Sequence, residues 1–276
     1  MTAGSPSVTV RSPGVPSFGV VTPLLMARDV VGVAKRNLLR TVRTPQLLLF
    51  AVVQPVLLLL MLRYIFAGAV RMSVGSYVDF VVPAIFIEAM LVGAMTSAIG
   101  IAEDLKSGMI DRLRSLPMAR SAVLAGRSLS DLVRSTAGLA IMIPIGLAVG
   151  FRFHSDTGRI LLGLAVVIAF GYALCWLNAA IGVLTKDPET ATNAGTLPTF
   201  LLLFASNAIV PASDLPGWLQ AFARNQPLSV TVTAVRELFE GGAAAHSVWL
   251  SLAWSGGIAA VSFAVAFGLY KKAAVK

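Results

Sequence analysis

The stretch ILLGLAVVIAFGYALCWLNAAIGVL, Ile160 to Leu184, carries no charged residue across 25 positions. At about 1.5 Å of rise per residue, a helix of about 20 apolar residues crosses the roughly 30 Å hydrocarbon core of a bilayer. This run is therefore long enough to span a membrane. A second charge-free run, SVWLSLAWSGGIAAVSFAVAFGLY from Ser247 to Tyr270, repeats the pattern. Four further apolar runs precede or separate these two: Pro45 to Phe66, Tyr77 to Ala102, Leu132 to Phe151 and Ala194 to Ala212. The first contains Gln54, Pro55 and Arg63, and the third contains Arg134 and Pro144. Proline is tolerated in membrane helices because neighbours satisfy the freed backbone groups. The spacing predicts an all-α integral membrane protein with six transmembrane helices in residues 45–270.

Composition supports this reading. Of the 276 residues, 57% are hydrophobic and 13% charged, and mean hydropathy is +0.82. Average globular usage is about 45–50% apolar and about 25% charged, so a water-soluble α/β or all-β domain is disfavoured. The formal charge is nevertheless +9, from 22 bases against 13 acids. Such an excess suits nucleic acid or an anionic membrane surface, and its location decides between them. With both termini inside, sixteen of the 22 bases fall on the inner side; Arg63, Arg71, Arg152, Arg159, Arg224 and Arg236 fall outside. That is the positive-inside imbalance of a multi-pass membrane protein. Aromatic residues are not interleaved with the basic runs, so no nucleic-acid partner is expected.

Residues 1–23, rich in Ser, Pro, Gly, Thr and Val, read as a disordered tail, and residues 271–276 as an inner C-terminal tail. No short apolar run with a small-residue cleavage site follows a charged start, so no signal peptide is expected. Residues 24–44 differ. At about 100° per residue, Leu24, Ala27, Val31, Ala34, Leu38 and Val42 share one face, while Asp29, Arg36, Arg40 and Arg43 lie opposite. An interfacial helix that sets its bases against anionic lipid headgroups has this pattern. A helix packed on another protein would show it too.

The longest inner segment, EDLKSGMIDRLRSLPMARSAVLAGRSLSD, runs over residues 103–131. Met109, Ile110, Leu113 and Leu116 recur at helical spacing between Asp111, Arg112 and Arg114, describing a short amphipathic helix that a partner could grip. On periodicity alone, the same charges also fit an ordinary solvated loop. The outer segment from Ile209 to Gly242 is too polar for a span and too apolar for an open loop. Trp218, Leu219 and Phe222 lie on one helical face between Pro211, Pro216 and Pro227, which predicts two short helices dipping into the outer leaflet over residues 211–242. Trp218 has the character of an interfacial anchor.

Glu88 stands in the middle of the second span. An ionised carboxylate there costs at least about 2.5–3.5 kcal/mol on insertion scales, which makes it a substrate-path or proton candidate. A protonated carboxyl bonded to a neighbouring helix is the structural alternative. Asn178 and Asn207 also lie within spans, where amides serve as interhelical glue or as polar points on a path. Enzyme signatures are missing. No G-x-x-x-x-G-K-[ST] or H-E-x-x-H occurs, GRSLS at Gly126 to Ser130 lacks the second glycine of a nucleophile elbow, and His154 and His246 lie far apart. Neither catalytic residues nor a metal site are expected, and the single Cys175 allows no internal disulfide.

The segments DLKSGMIDRLRSLPMARSAVLAGR from Asp104 to Arg127, KDPETATNAG from Lys186 to Gly195, and NAIVPASDLPGWLQAFARNQPLSVTVTAVRELFEGG from Asn207 to Gly242 carry a resemblance. They resemble, in order, the corresponding segments of permease subunits of ABC-2-type exporters in the daunorubicin-resistance (DrrB/DrrC) branch. The likeness covers Leu24 to Tyr270. It implies a permease without its own ATPase, working with a separate DrrA-like ATP-binding subunit that holds ATP and magnesium. It also implies a second permease, either a DrrB-like paralogue or a second copy, meeting this one at the first and fifth spans. By the same resemblance, Glu103, Gly108, Arg112, Leu113, Pro117 and Arg120 fall in the coupling segment that contacts the ATPase, and Leu215 to Glu240 match outer re-entrant helices. This inner loop is basic, whereas some relatives carry a more acidic one. The motifs do not separate export of a complex lipid from efflux of an antibiotic. A non-transporting anchor protein and an intramembrane lipid-modifying enzyme are the competing classes.

Overall fold

A computed structural model describes residues 45–66, 76–107 and 120–273, together with residue 32 in the N-terminal stretch. Among the described residues the chain is entirely helical. Helix α1, Pro45–Met61, runs into a π-helical turn at Leu62–Phe66. Then follow α2 (Tyr77–Lys106), α3 (Arg120–Ala148), α4 (Thr157–Thr185), α5 (Pro188–Phe204), a 3-10 turn at Ala212–Asp214, α6 (Gly217–Asn225), α7 (Pro227–Glu240) and α8 (Ala245–Ala273). Four of these are long and apolar enough to cross a membrane: α2, α4, the Ala125–Ala148 part of α3 and the Ala245–Leu269 part of α8. The first and fifth expected spans are helical but shorter, with 17 residues each in α1 and α5.

Local signals place the ends. Ser76 Oγ accepts the Val78 amide at 3.3 Å and starts α2. Asp156 accepts the Arg159 amide at 3.1 Å and starts α4, and Asp187 accepts the Thr190 amide at 3.1 Å and starts α5 with Pro188 at its first turn. Between α4 and α5 the chain reverses through Lys186, whose left-handed φ of 56° closes the last turn of α4.

Helix α2 is the axle of the bundle. Its apolar window is 78% buried, against 17% for α8, so α2 is wrapped by protein while α8 offers most of its surface to the surroundings. It packs against α1, α3, α4, α5 and α7, and α8 lies outside on α4 and α7. The approach of α4 to α2 depends on Gly182, where an added Cβ would fall 2.4 Å from the Ala98 carbonyl oxygen. Without a hydrophobic drive between helices in lipid, such close backbone contact supplies the packing energy. At the end of the bundle near Trp218, the rings of Phe86, Phe151, Phe153 and Phe239 interlock edge to face, with neighbouring centroids between 4.8 and 6.4 Å apart.

Candidate functional site

Two polar features stand inside this apolar bundle. The first is an ionic seam between α2 and α3, at the end where residues 107–119 connect the two helices. Asp131, 2% exposed, accepts Arg134 Nη2 at 3.0 Å and lies 3.9 Å from Arg127 Nε. Arg127 Nη1 also pairs with Asp104 at the end of α2. Arg134 reaches across to α2, donating to Thr96 Oγ1 and, at 3.2 Å, to the Gly93 carbonyl. Two acids and two bases thus neutralise one another along the contact. Glycine makes the room: a Cβ at Gly100 would fall 1.6 Å from Arg127 Nη2. Beside the seam, the buried hydroxyls of Ser97, Ser128 and Ser135 have no hydrogen-bond partner among the described residues.

The second feature is Glu88, only 1% exposed. Gln54 Nε2 of α1 donates to its Oε1 at 2.8 Å, and its Oε2 has no partner among the described residues. Asn178 and Asn207 do not join it. Asn178 turns its amide onto its own helix, donating to the Leu174 carbonyl at 3.0 Å, so its donor makes no interhelical bridge. Its Oδ1 faces Gly195 of α5. Asn207 lies beyond the end of α5 rather than inside a span. Its backbone amide donates to Ser229 Oγ at 3.2 Å and its Nδ2 to Thr233 Oγ1 at 2.9 Å, tying that turn to α7. The three candidates therefore sit on different elements and do not share one site.

The expected coupling segment is only partly described. Glu103 is exposed near the end of α2, and Arg120 opens α3. Gly108, Arg112, Leu113 and Pro117 lie outside the described residues, as do Arg36, Arg40 and Arg43. Residues 120–131, read from the sequence as loop, are instead the first turns of α3. At the same end, Lys106 Nζ meets Asp187 at 2.7 Å, joining α2 to the start of α5. The hydrogen bond from Lys106 draws the Asp187 carboxyl down to about 2.

Trp218, 81% exposed, opens α6 and shares its outward face with Phe222, which suits an interfacial anchor. An apolar cavity of about 160 Å³ lies nearby between Leu58, Met61, Leu62, Phe204, Ile209 and Leu215. Sequence reasoning missed Arg236. This residue is 8% exposed and donates to three carbonyls: Phe80 at 2.7 Å, Asn207 at 2.9 Å and Ala208 at 2.8 Å. Its guanidinium carbon also lies 3.5 Å from the Phe80 ring centroid. The sequence signal was faint: one arginine in α7, directly before Glu237.

A polytopic helical protein with an ionic seam beside one connecting segment and a buried carboxylate at mid-depth has the character of a transport subunit. Residues 29–239 match the ABC-2 type transporter family, and the chain belongs to it. Among curated proteins it is 34% identical over 227 residues to the daunorubicin resistance ABC transporter permease protein DrrB1 of Streptomyces coeruleorubidus, covering 82% of this chain and 80% of the relative. It is 28% identical to the probable doxorubicin resistance ABC transporter permease protein DrrC of Mycobacterium tuberculosis, covering 76% of each. It is 24% identical to the putative transport permease ycf38 of Cyanophora paradoxa, covering 83% of this chain and 79% of the relative. The chain is thus a membrane permease of the ABC-2 type, of the lineage that includes drug-resistance permeases.

Proposed function

We propose that this permease moves a hydrophobic or amphipathic compound, a complex lipid or an antibiotic, outward across the plasma membrane, driven by ATP hydrolysis on a separate DrrA-like subunit. ATP and magnesium belong to that subunit. A second permease, a paralogue or another copy, completes the path. The exposed faces of α1 and α5, with Leu57, Met61, Leu197 and Phe204, are the surfaces that would meet it. Six spans follow if α1 and its π turn act together, since 17 and five residues give roughly 33 Å. Helix α5 at 17 residues gives about 26 Å, which the turn after it extends. Helices α6 and α7 would enter the outer leaflet without crossing it, and both termini would lie in the cytoplasm.

The ionic seam is the observation that carries the coupling part of this reading. Residues 107–119 are anchored at both ends by helices that Asp104, Arg127, Asp131 and Arg134 bind together. A push on that segment by a closing ATPase would turn α2 and α3 as one body. Because α2 touches most of the bundle, that rotation would reach α1 and α5 and open the path. Only a differential preference of ATP and cargo for the two states can drive the shift.

Reconstitution with the ATPase tests this. Glu103→Ala and Arg112→Ala are expected to preserve insertion and assembly while reducing transport per ATP hydrolysed. Wild-type transport per ATP in both variants would refute the assignment of the coupling segment.

A further inference from the structure

Glu88 lies eleven residues, about 16 Å, along α2 from Tyr77, within the most buried helix of the protein. Its Oε2 is closed off from solvent and has no partner among the described residues, and no described Lys or Arg forms an ion pair with it. Arg134, which meets α2 more than one turn further on, is occupied by Gly93, Thr96 and Asp131. A carboxyl at this depth either holds its proton or is ionised beside a cation, so a cationic group brought to it would stabilise the ionised form.

Its one side-chain hydrogen bond among the described residues comes from a residue on the surface of the bundle. Gln54 is exposed on α1 and shares its face with Val53, Leu57 and Met61, which are exposed as well. The Gln54 amide is turned inward onto Glu88 Oε1, so the carboxyl lies behind one exposed side chain of α1. Gln54 thus stands in front of the carboxylate, with Pro55 directly after it to weaken the backbone bonding of α1. A second copy docked through α1 and α5 brings no described base to this level. Among the described residues, the exposed face of α5 includes Thr192, Asn193, Leu197, Leu201 and Phe204, and Arg63 in the π-helical turn after α1 lies nine residues, about 13 Å, away from Gln54. No described residue supplies a positive charge to Glu88, and a cationic cargo passing α1 would.

We infer that Glu88 selects cargo bearing an ammonium group. Resting on the permease reading above, the amine of an amphiphile displaces Gln54 Nε2 and pairs with the Glu88 carboxylate, while its apolar body lies along Val53, Leu57 and Met61.

The test uses the permease copurified with its ATPase in lipid nanodiscs. Two probes differ only in charge: a dansyl-labelled alkyl diamine with a free ammonium group, and the same molecule N-acetylated. Binding is read by energy transfer from tryptophan to dansyl, with partitioning into empty nanodiscs subtracted. Wild type is expected to prefer the ammonium probe by about tenfold, the scale of one charge-assisted hydrogen bond. Glu88→Gln abolishes that preference, bringing binding of the ammonium probe down to that of the acetylated one. Glu88→Asp keeps part of it, and Gln54→Leu keeps it. Equal binding of the two probes to wild type, or a preference that survives Glu88→Gln, overturns the inference. Should Glu88→Gln fail to assemble, the wild-type comparison and Glu88→Asp decide. ATP-dependent uptake into proteoliposomes is scored separately. Uptake without amine preference refutes the role of Glu88 and leaves the permease reading standing, whereas amine preference in binding without any ATP-dependent uptake does the reverse.

Discussion

Replacing Asp131 with Ala removes the acid that the two central guanidinium groups share. Asp131 is 2% exposed and lies 3.0 Å from Arg134 Nη2 and 3.9 Å from Arg127 Nε. Deleting one member of a buried pair typically costs about 3–5 kcal/mol, because the remaining charge stays buried. Here Arg127 keeps Asp104, and Arg134 keeps Thr96 and the Gly93 carbonyl, so the lower end applies, about 3 kcal/mol. Unfolding of the detergent-solubilised protein by titration with sodium dodecyl sulfate, followed by tryptophan fluorescence, measures it. The double variant with Arg134→Gln should cost clearly less than the two single losses together, because removing both partners leaves one fewer unpaired charge. An Asp131→Ala loss below about 0.5 kcal/mol, or strict additivity in that cycle, would show that the seam does not hold α2 to α3.

Three other changes probe separate parts of the fold. Gly182→Ala puts a methyl 2.4 Å from the Ala98 carbonyl and should destabilise by about 1–3 kcal/mol through forced separation of α2 and α4, with earlier proteolysis as the readout. Arg236→Met removes the side-chain donor to the carbonyls of Phe80, Asn207 and Ala208, so it should cost at least about 2 kcal/mol in the same detergent titration, while Arg236→Lys should recover only part. Asp187, held at about 2 by the hydrogen bond from Lys106, has a lowered folded-state pKa. Its contribution is therefore complete above the ordinary carboxylate value of 3.8 and is lost as pH falls through about 2. The difference in thermal stability between wild type and Asp187→Asn should hold steady from neutral pH to about 5 and vanish towards pH 2; a difference that grows on acidification would contradict the assignment.

Hydropathy located the helices well where charge was absent. The second, fourth and sixth apolar runs correspond to α2, α4 and α8 to within a few residues at most ends. The third run was placed too late, because Arg127, Asp131 and Arg134 look like loop residues when each is scored alone. In the structure they neutralise one another, so the helix extends back to Arg120. The fifth run was placed too far along the chain. Asp187 and Pro188 start α5 early, and the chain turns after Phe204, where Arg236 and α7 hold the Asn207 segment. Glu88 stood out in the sequence as an acid in an apolar span, whereas its partner Gln54, 34 positions away, did not.

The sequence by itself determined that the chain is a helical membrane protein, where its charge-free helices run, and that it belongs with the ABC-2 permeases. These follow from local properties: length, hydrophobicity and linear motif. Tertiary structure alone decided which polar groups meet. The acids and bases of α2 and α3 cancel in a buried seam, Arg236 serves backbone carbonyls rather than a carboxylate, and among the described residues Glu88 has one amide and no counter-charge. The physical reason is that burying a charge is tolerable or costly according to what lies within about 4 Å of it, and those neighbours come from distant parts of the chain.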